Sequence, residues 1–283
     1  PAFYLEYNIR IFIRLLIQPF DVVHSVDLDT LSAGFWASKL KGKKLVYDSH
    51  ELFTEVPELR HTPVKRNIWL ALESFYLTRI KYAFTVGQAI ADCYNQTYKP
   101  CFKVLRNCPV LKVNKDKKLE TENEVFFLYQ GALNEGRGLE AAIEAMKSVD
   151  ASLWIAGRGD IEEKLYALVT AINVKDKVKF LGMIKPADLP ALTQKAYAGV
   201  NVSENLGKSY YLSLNNKFFD YIHAEIPAIT NDFPEYKKLN KEVETSLLCS
   251  ANADEIAEAM NTRLEDKDLR NKLKENCVTA AKK

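Results

Sequence analysis

VFFLYQGALNEGRGLEAAIEAM, Val125–Met146, decides how this chain is read. An apolar run of strand length, Val125–Gln130, stops at Gly131. A glycine-rich turn, Gly131–Gly138, follows, and apolar residues then recur at helical spacing through Leu139, Ala142, Ile143 and Met146. Strand, tight turn and amphipathic helix in that order make one unit of an α/β sheet.

Working outward, the same alternation extends both ways. Towards the carboxyl end, strands are expected at Leu153–Ala156, Val178–Leu181, Gly199–Val202, Ile226–Thr230 and Ser246–Cys249. Helices are expected at Ile161–Ala171 and Pro186–Lys195, with two more after the last strand. Towards the amino end, strands are expected at Asp21–Ser25, Lys44–Asp48, Ala83–Val86 and Phe102–Leu105, separated by helices. An apolar helix, Tyr4–Gln18, comes before the first of them. Repeated strand–helix alternation specifies parallel sheets with crossover helices. A doubly wound domain normally begins on a central strand, so the first domain reads as incomplete, its first strand or two absent. The chain also begins with Pro1 rather than Met. The segment KVNKDKKLETENE at 112–124 is charged and almost free of apolar residues, which marks a linker. The division is therefore 1–112, a linker 113–124, and 125–283.

At 283 residues, with 47% hydrophobic and 27% charged side chains, the chain is a globular protein large enough for two cores. A net charge of +2 makes no demand for nucleic acid, and none is expected as a partner. Five cysteines, odd in number and without metal-ligand spacing, read as free thiols in a reducing compartment. No run of about 20 apolar residues is long enough to span a bilayer. A cytoplasmic protein is expected. The Tyr4–Gln18 helix, with Arg10 and Arg14 among apolar residues, can lie peripherally on the inner membrane face; packing against the sheet is the competing and favoured reading.

The chemistry concentrates in SLNNKFFDYIHAEIPAITND, Ser213–Asp232. Lys217 and Asp220 stand one helical turn apart after a polar loop and before a strand. At the carboxyl edge of a parallel sheet, such a junction is where ligands bind. A cation there meets a phosphate, and an acid one turn along accepts from a sugar diol. At the earlier turn, Gly131 lets the backbone approach a pyrophosphate, and Arg137 can fork onto phosphate oxygens.

These motifs, in this order, resemble glycosyltransferase family 4, retaining sugar-transfer enzymes of the GT-B fold. The similarity runs through DVVHSVDLDTL, LVYDSHELFTE, FTVGQAIADCY and VLRN in the first half. It continues through YQGALNEGRGLEAAIEAM, LWIAGRGD, VKFLGMI and SLNNKFFDYIHAEIPAIT in the second. The resemblance implies two Rossmann-like domains facing a cleft, with the donor held mostly by the second. It implies that Arg137 stabilises the departing diphosphate and that Asp220 accepts from the ribose. The family's partner glutamate falls on Leu212, and its second basic residue in the turn on Ala132. SYYLSLNNK resembles a branch with a tyrosine-rich loop, in which Asn216 and Lys217 face the diphosphate and Glu204 takes the place of the missing carboxylate. Asn215 stands where that branch has proline, and Glu225 where the family has glycine. His50, in YDSHE, matches a residue near the donor sugar.

The function so implied is metal-independent, retaining transfer from a nucleoside-diphosphate sugar to a sugar or lipid-linked hydroxyl acceptor, without a further cofactor, in surface polysaccharide or glycolipid synthesis. A nucleotide-sugar epimerase and a degenerate, transferase-like scaffold are the rival readings. Arg158-Gly159-Asp160 reads as a strand-to-helix turn in which Asp160 caps the helix.

Overall fold

In the computed structural model, residues 2–98, 101–109 and 124–282 are described. The expected linker therefore lies, apart from Glu124, outside the described residues. By its contacts the chain forms two compact units, Pro1–Asn107 with Leu206–Ser213, and Cys108–Asn205 with Leu214–Lys283.

The first unit runs α1 (Ala2–Ile17), β1 (Val22–Val26), α2 (Leu28–Leu40), β2 (Lys44–Ser49), α3 (Pro57–Arg60), α4 (Pro63–Leu77), β3 (Tyr82–Thr85), α5 (Gln88–Thr97) and β4 (Phe102–Val104). Its strands form one parallel sheet in the order β1-β2-β3-β4. Every crossover steps the same way, so the described sheet is a single wing without a point where strand order reverses. Its core gathers Leu31, Phe35, Tyr47, Leu77, Ile90 and Phe102. Along β1, Val23 and Ser25 are buried while Val22, His24 and Val26 are exposed.

The helix α1 corrects one expectation. It lies against α2, where the Asn8 amide donates to Asp29 O at 2.7 Å and accepts from Ala33 N–H at 3.1 Å. The side carrying Asn8 half-buries Ile11, Phe12 and Leu15, but a further apolar stripe, Phe3, Leu5, Ile9, Ile13 and Ile17, is exposed. The Lys41 ammonium closes its carboxyl end by donating to the carbonyls of Leu15, Leu16 and Gln18.

The second unit runs β5 (Phe126–Gln130), α6 (Leu139–Ala145), β6 (Ser152–Ala156), α7 (Glu162–Ala171), β7 (Val178–Gly182), α8 (Leu189–Thr193) and β8 (Ala198–Asn201). After α9 (Lys208–Tyr211), which belongs to the first unit, come α10 (Asn216–His223), β9 (Ala228–Asn231), α11 (Pro234–Glu242), β10 (Ser246–Cys249), α12 (Ala253–Glu265) and α13 (Lys267–Ala280). Six parallel strands follow the order β10-β9-β8-β5-β6-β7. The chain winds outward from β5 to β7, returns to the middle at β8, and winds outward the other way. This is a doubly wound sheet whose order reverses between β5 and β8.

Both faces of that sheet are covered, which explains why β5 is buried at all five positions. Phe127 and Tyr129 enter a core with Leu139, Ile143, Leu153, Ile155 and Met260, while Phe126 and Leu128 enter another with Leu192, Tyr221 and Ile226. Burying each such side chain contributes about 1.5–3 kcal/mol. The terminal helices begin with side-chain caps: Asn252 accepts from the N–H groups of Asp254 and Glu255, and Asp266 from that of Leu269. Asp160 does not cap α7, whose flanking position is Ile161 with no side-chain cap. The strand expected at Ile226 starts two residues later, because Pro227 has no N–H for the ladder. Helices α9 and α11 are additions to the sequence reading.

Candidate functional site: a crevice where strand order reverses

The reversal between β5 and β8 opens a crevice at the carboxyl ends of the strands, and the second unit's chemical groups converge there. Gly131 ends β5 at φ 136°, and its N–H donates to Ala156 O at 2.9 Å. Gly157, at φ 148°, passes so close that a Cβ on it would lie 1.8 Å from Gly131 O. No side chain fits at that crossing, so two bare backbone segments line the crevice floor.

Helix α10 stands over this floor. Phe218, Tyr221 and Ile222 face inward, and the Tyr221 hydroxyl lies 3.0 Å from Leu128 O and 3.2 Å from Val200 O, reaching both strands at the reversal. Lys217 and Asp220, three residues apart, share another side. Ahead of the helix, Asn215 donates its N–H to the Tyr236 hydroxyl and its side-chain amide to Asn201 Oδ1. A proline here would lose the first bond, so the departure from the family pattern brings its own anchor.

The Lys217 ammonium sits 3.7 Å above the Tyr129 ring and 3.3 Å from where a Cβ on Gly131 would be. The residue is half-buried overall, but its charged end is withdrawn from water. That burial, then the neighbouring Arg137 charge, hold its pKa well below the ordinary lysine value, against the pull of Asp220. Lys217 thus stands beside Gly131, with Arg137 near enough to act on its charge.

Asp220 faces the other end. Burial raises its pKa, while the Gln130 side-chain amide, donating to Oδ2 at 3.0 Å, favours the ionised form. The Thr193 hydroxyl donates to Gln130 Oε1 at 2.8 Å and so sets which way that amide faces. One turn beyond, burial lowers the pKa of His223 and the Asp220 charge opposes it. Gln130, Gly131, Gly157, Arg158, Asp220 and His223 help line a cavity of about 700 Å³, whose apolar wall includes Met183, Ile184, Leu189 and Pro190. An apolar cavity with a few convergent polar groups suits a base and ribose.

Of the residues singled out from sequence, Gly131, Arg137, Lys217 and Asp220 come together here. Asn216, exposed, opens the same helix. Glu204 reaches the glycine-rich turn through its backbone, donating its N–H to Gly136 O at 2.9 Å. Its carboxyl group keeps other company: burial and the charges of Glu140 and Glu135 raise its pKa. It lines a separate hollow with Glu140, Glu144 and Asp254. Leu212 packs on the first unit's core. His50 belongs to the first unit, where its Nε2 lies 3.4 Å from Asp48 Oδ2 and its N–H donates to Asp27 Oδ1 at 2.8 Å. Sequence reasoning missed Gln130, Thr193 and His223. A signal for the first existed, namely a lone amide at the end of an apolar strand directly before glycine.

Cys93, Cys101, Cys249 and Cys277 are free thiols. Among the described residues no helix is long and apolar enough to cross a membrane, and no three His, Cys, Asp or Glu side chains are grouped to hold a metal ion.

Comparison with known proteins agrees with this architecture. The chain resembles sucrose-phosphate synthase from Thermosynechococcus elongatus, with a TM-score of 0.81 at 17% identity over 99% of this chain and 73% of that one. It resembles the Anabaena protein HepE, solved with UDP and glucose, with a TM-score of 0.77 at 16% identity over 98% and 76%. These likenesses establish the GT-B fold. Among curated relatives, D-rhamnosyltransferase WbpZ of Pseudomonas aeruginosa is 33% identical over 89 residues, 31% of this chain and 23% of the relative. O-antigen chain mannosyltransferase RfbU of Salmonella typhimurium is 27% identical over 172 residues, 57% and 45% respectively. The chain thus spans less than half the length of either curated relative. The model of the family described as glycosyl transferases group 1 matches residues 112–279, more than half of the chain, and the chain belongs to that family.

Proposed function

We propose that the protein transfers a hexosyl group from a nucleoside-diphosphate sugar to a hydroxyl of a saccharide or lipid-linked acceptor. Transfer proceeds with retention of anomeric configuration and without a metal or further cofactor. The observation that carries this reading is the polarity of the crevice: Lys217 at the Gly131 end with the Arg137 charge near it, a hydrogen-bonded carboxylate at the other, and an apolar wall between β7 and α8. A diphosphate fits the first end, a ribose diol the second, and a base the wall. As the sugar–phosphate bond breaks, its electron pair goes to the diphosphate. Lys217, Arg137 and the exposed backbone at Gly131 are placed to stabilise that charge, the task a divalent ion performs in metal-dependent transferases.

The solved HepE complexes contain UDP, glucose or UDP-glucose, and the curated relatives are a rhamnosyl- and a mannosyltransferase, the latter of the O-antigen chain. They support a hexose donor and a surface-polysaccharide acceptor. The exposed apolar residues of α1, flanked by Arg10 and Arg14, suit peripheral contact with an anionic membrane on the cytoplasmic side. The test is release of nucleoside diphosphate from UDP-glucose, GDP-mannose and ADP-glucose, with calorimetric affinities for UDP, GDP and ADP alongside. Binding of one nucleotide with release from its sugar is expected. Binding of none of the three refutes the reading.

A further inference from the structure

The apolar end of the crevice carries a charged side chain that the fold leaves uncommitted. Arg158 follows Gly157 at the carboxyl end of β6 and lines the cavity together with Met183 and Ile184. Its side chain turns towards β7: Nε and Nη2 lie 3.8 and 3.9 Å from where a Cβ on Gly182 would stand. Two local features bring it there. The β6–β7 register steps from Ile155–Phe180 to Ala156–Gly182, skipping Leu181, and such a bulge re-aims the side chains beside it. Gly182, at φ 64°, has its carbonyl held by the Gly157 N–H at 2.8 Å and presents bare backbone to the guanidinium. Arg158 is exposed, and among the described residues its guanidinium meets no acceptor, carboxylate or ring. The fold therefore gives it no hydrogen-bonding task of its own.

Its place in the sheet decides what it can read. Lys217 stands at the end of β5, and β6 and β7 follow in order, so two strand spacings, about 10 Å, separate it from the end of β7. The guanidinium is thus directed away from the diphosphate end and towards the wall assigned above to the base. A guanidinium offers only donors, set in a planar fork. Guanine places two acceptors, O6 and N7, side by side to meet such a fork. Uracil has a single acceptor, O4, on the corresponding edge, and adenine sets its N6 amino donor beside N7, opposing one arm. We infer that Arg158 is a specificity-determining residue for the donor, forking onto O6 and N7 of guanine, so that the preferred donor is a guanosine-diphosphate sugar. This inference rests on the transferase reading above and narrows its substrate.

Titration calorimetry on the full chain tests it, with GDP, 7-deaza-GDP, UDP, ADP and inorganic pyrophosphate as ligands. The wild type should bind GDP most tightly and ADP least. Arg158→Ala should weaken GDP binding by roughly 5- to 150-fold, the range for a bidentate contact to a base, and leave pyrophosphate binding unchanged. Because the side chain is exposed and unpartnered, the free variant should melt at the wild-type temperature. In 7-deaza-GDP a C–H replaces N7, so it should bind the wild type more weakly than GDP does and lose less than GDP on Arg158→Ala. GDP affinity indifferent to Arg158→Ala, equal losses for GDP and pyrophosphate, or tighter binding of UDP or ADP than of GDP would each overturn the inference while leaving the transferase reading in place. Binding of none of the three natural nucleotides would strike the transferase reading itself, and the inference with it.

Discussion

Replacing Lys217 by methionine should make the free protein more stable and the nucleotide complex weaker. In the empty crevice the ammonium is withdrawn from water, faces the Arg137 charge and gains from the Tyr129 ring at 3.7 Å and from the Asp220 charge. Withdrawal costs an ion several kcal/mol, and a desolvated ring contact returns about 2 kcal/mol. Methionine keeps the length and the contact with the ring while removing the charge. A net gain of about 1 kcal/mol is expected, or roughly 2–4 °C in Tm for a unit of this size. Binding should move the other way. A charge-assisted hydrogen bond to a phosphate is worth about 1.5–3 kcal/mol, so affinity for the preferred nucleoside diphosphate should fall by roughly 10- to 150-fold. Differential scanning calorimetry of the free variant and titration calorimetry with UDP, GDP and ADP give both numbers. A lower Tm with unchanged affinity would show that Lys217 is a packed structural residue, and the assignment of the diphosphate end would fall with it.

The same geometry predicts three further results. Asp220→Ala should weaken nucleoside diphosphate binding but leave inorganic pyrophosphate binding unchanged, and equal losses in the two titrations would remove Asp220 from the ribose. Because the free-state pKa of Lys217 is depressed and a bound diphosphate favours its charged form, binding takes up a proton wherever the pH lies above that free-state pKa. Affinity is then fully present below the free-state pKa and falls by up to one decade per pH unit above it, which calorimetry in buffers of different ionisation enthalpy detects as proton uptake; a pH-independent constant in wild type would contradict it. Glu225→Gly should stabilise the second unit by about 1 kcal/mol, since Glu225 follows α10 at φ 59° with an exposed side chain, and thermal melts read this directly.

The fold was legible because strand and helix periods differ. The run through Tyr129, the stop at Gly131 and the helical spacing from Leu139 admit one local arrangement, and repetition of that unit implies a parallel sheet. Lys217 and Asp220 were legible as a pair because one helical turn puts them on a common side. What the sequence concealed depends on contacts distant along the chain. Gln130 reaches Asp220 from 90 positions away, and Thr193 orients Gln130 from 63. Neither spacing follows any local period. The Leu206–Ser213 segment was misleading for the same reason, since its membership in the first unit is decided by packing around Leu212 rather than by its place in the sequence. Likewise α1 reads as a buried helix from composition alone, yet a stripe of its apolar residues is open.

The Tyr221 hydroxyl, set between the carbonyls of Leu128 and Val200, bears on how such a protein diversifies. It pegs the charge-bearing helix to the two central strands, leaving the opposite wall around Met183, Ile184 and Pro190 free of that tether. If the crevice holds the proposed donor, substitutions on that wall would retune which nucleobase is preferred without disturbing the groups proposed to receive the leaving diphosphate. Under that proposal, donor choice and leaving-group chemistry would be mechanically separated.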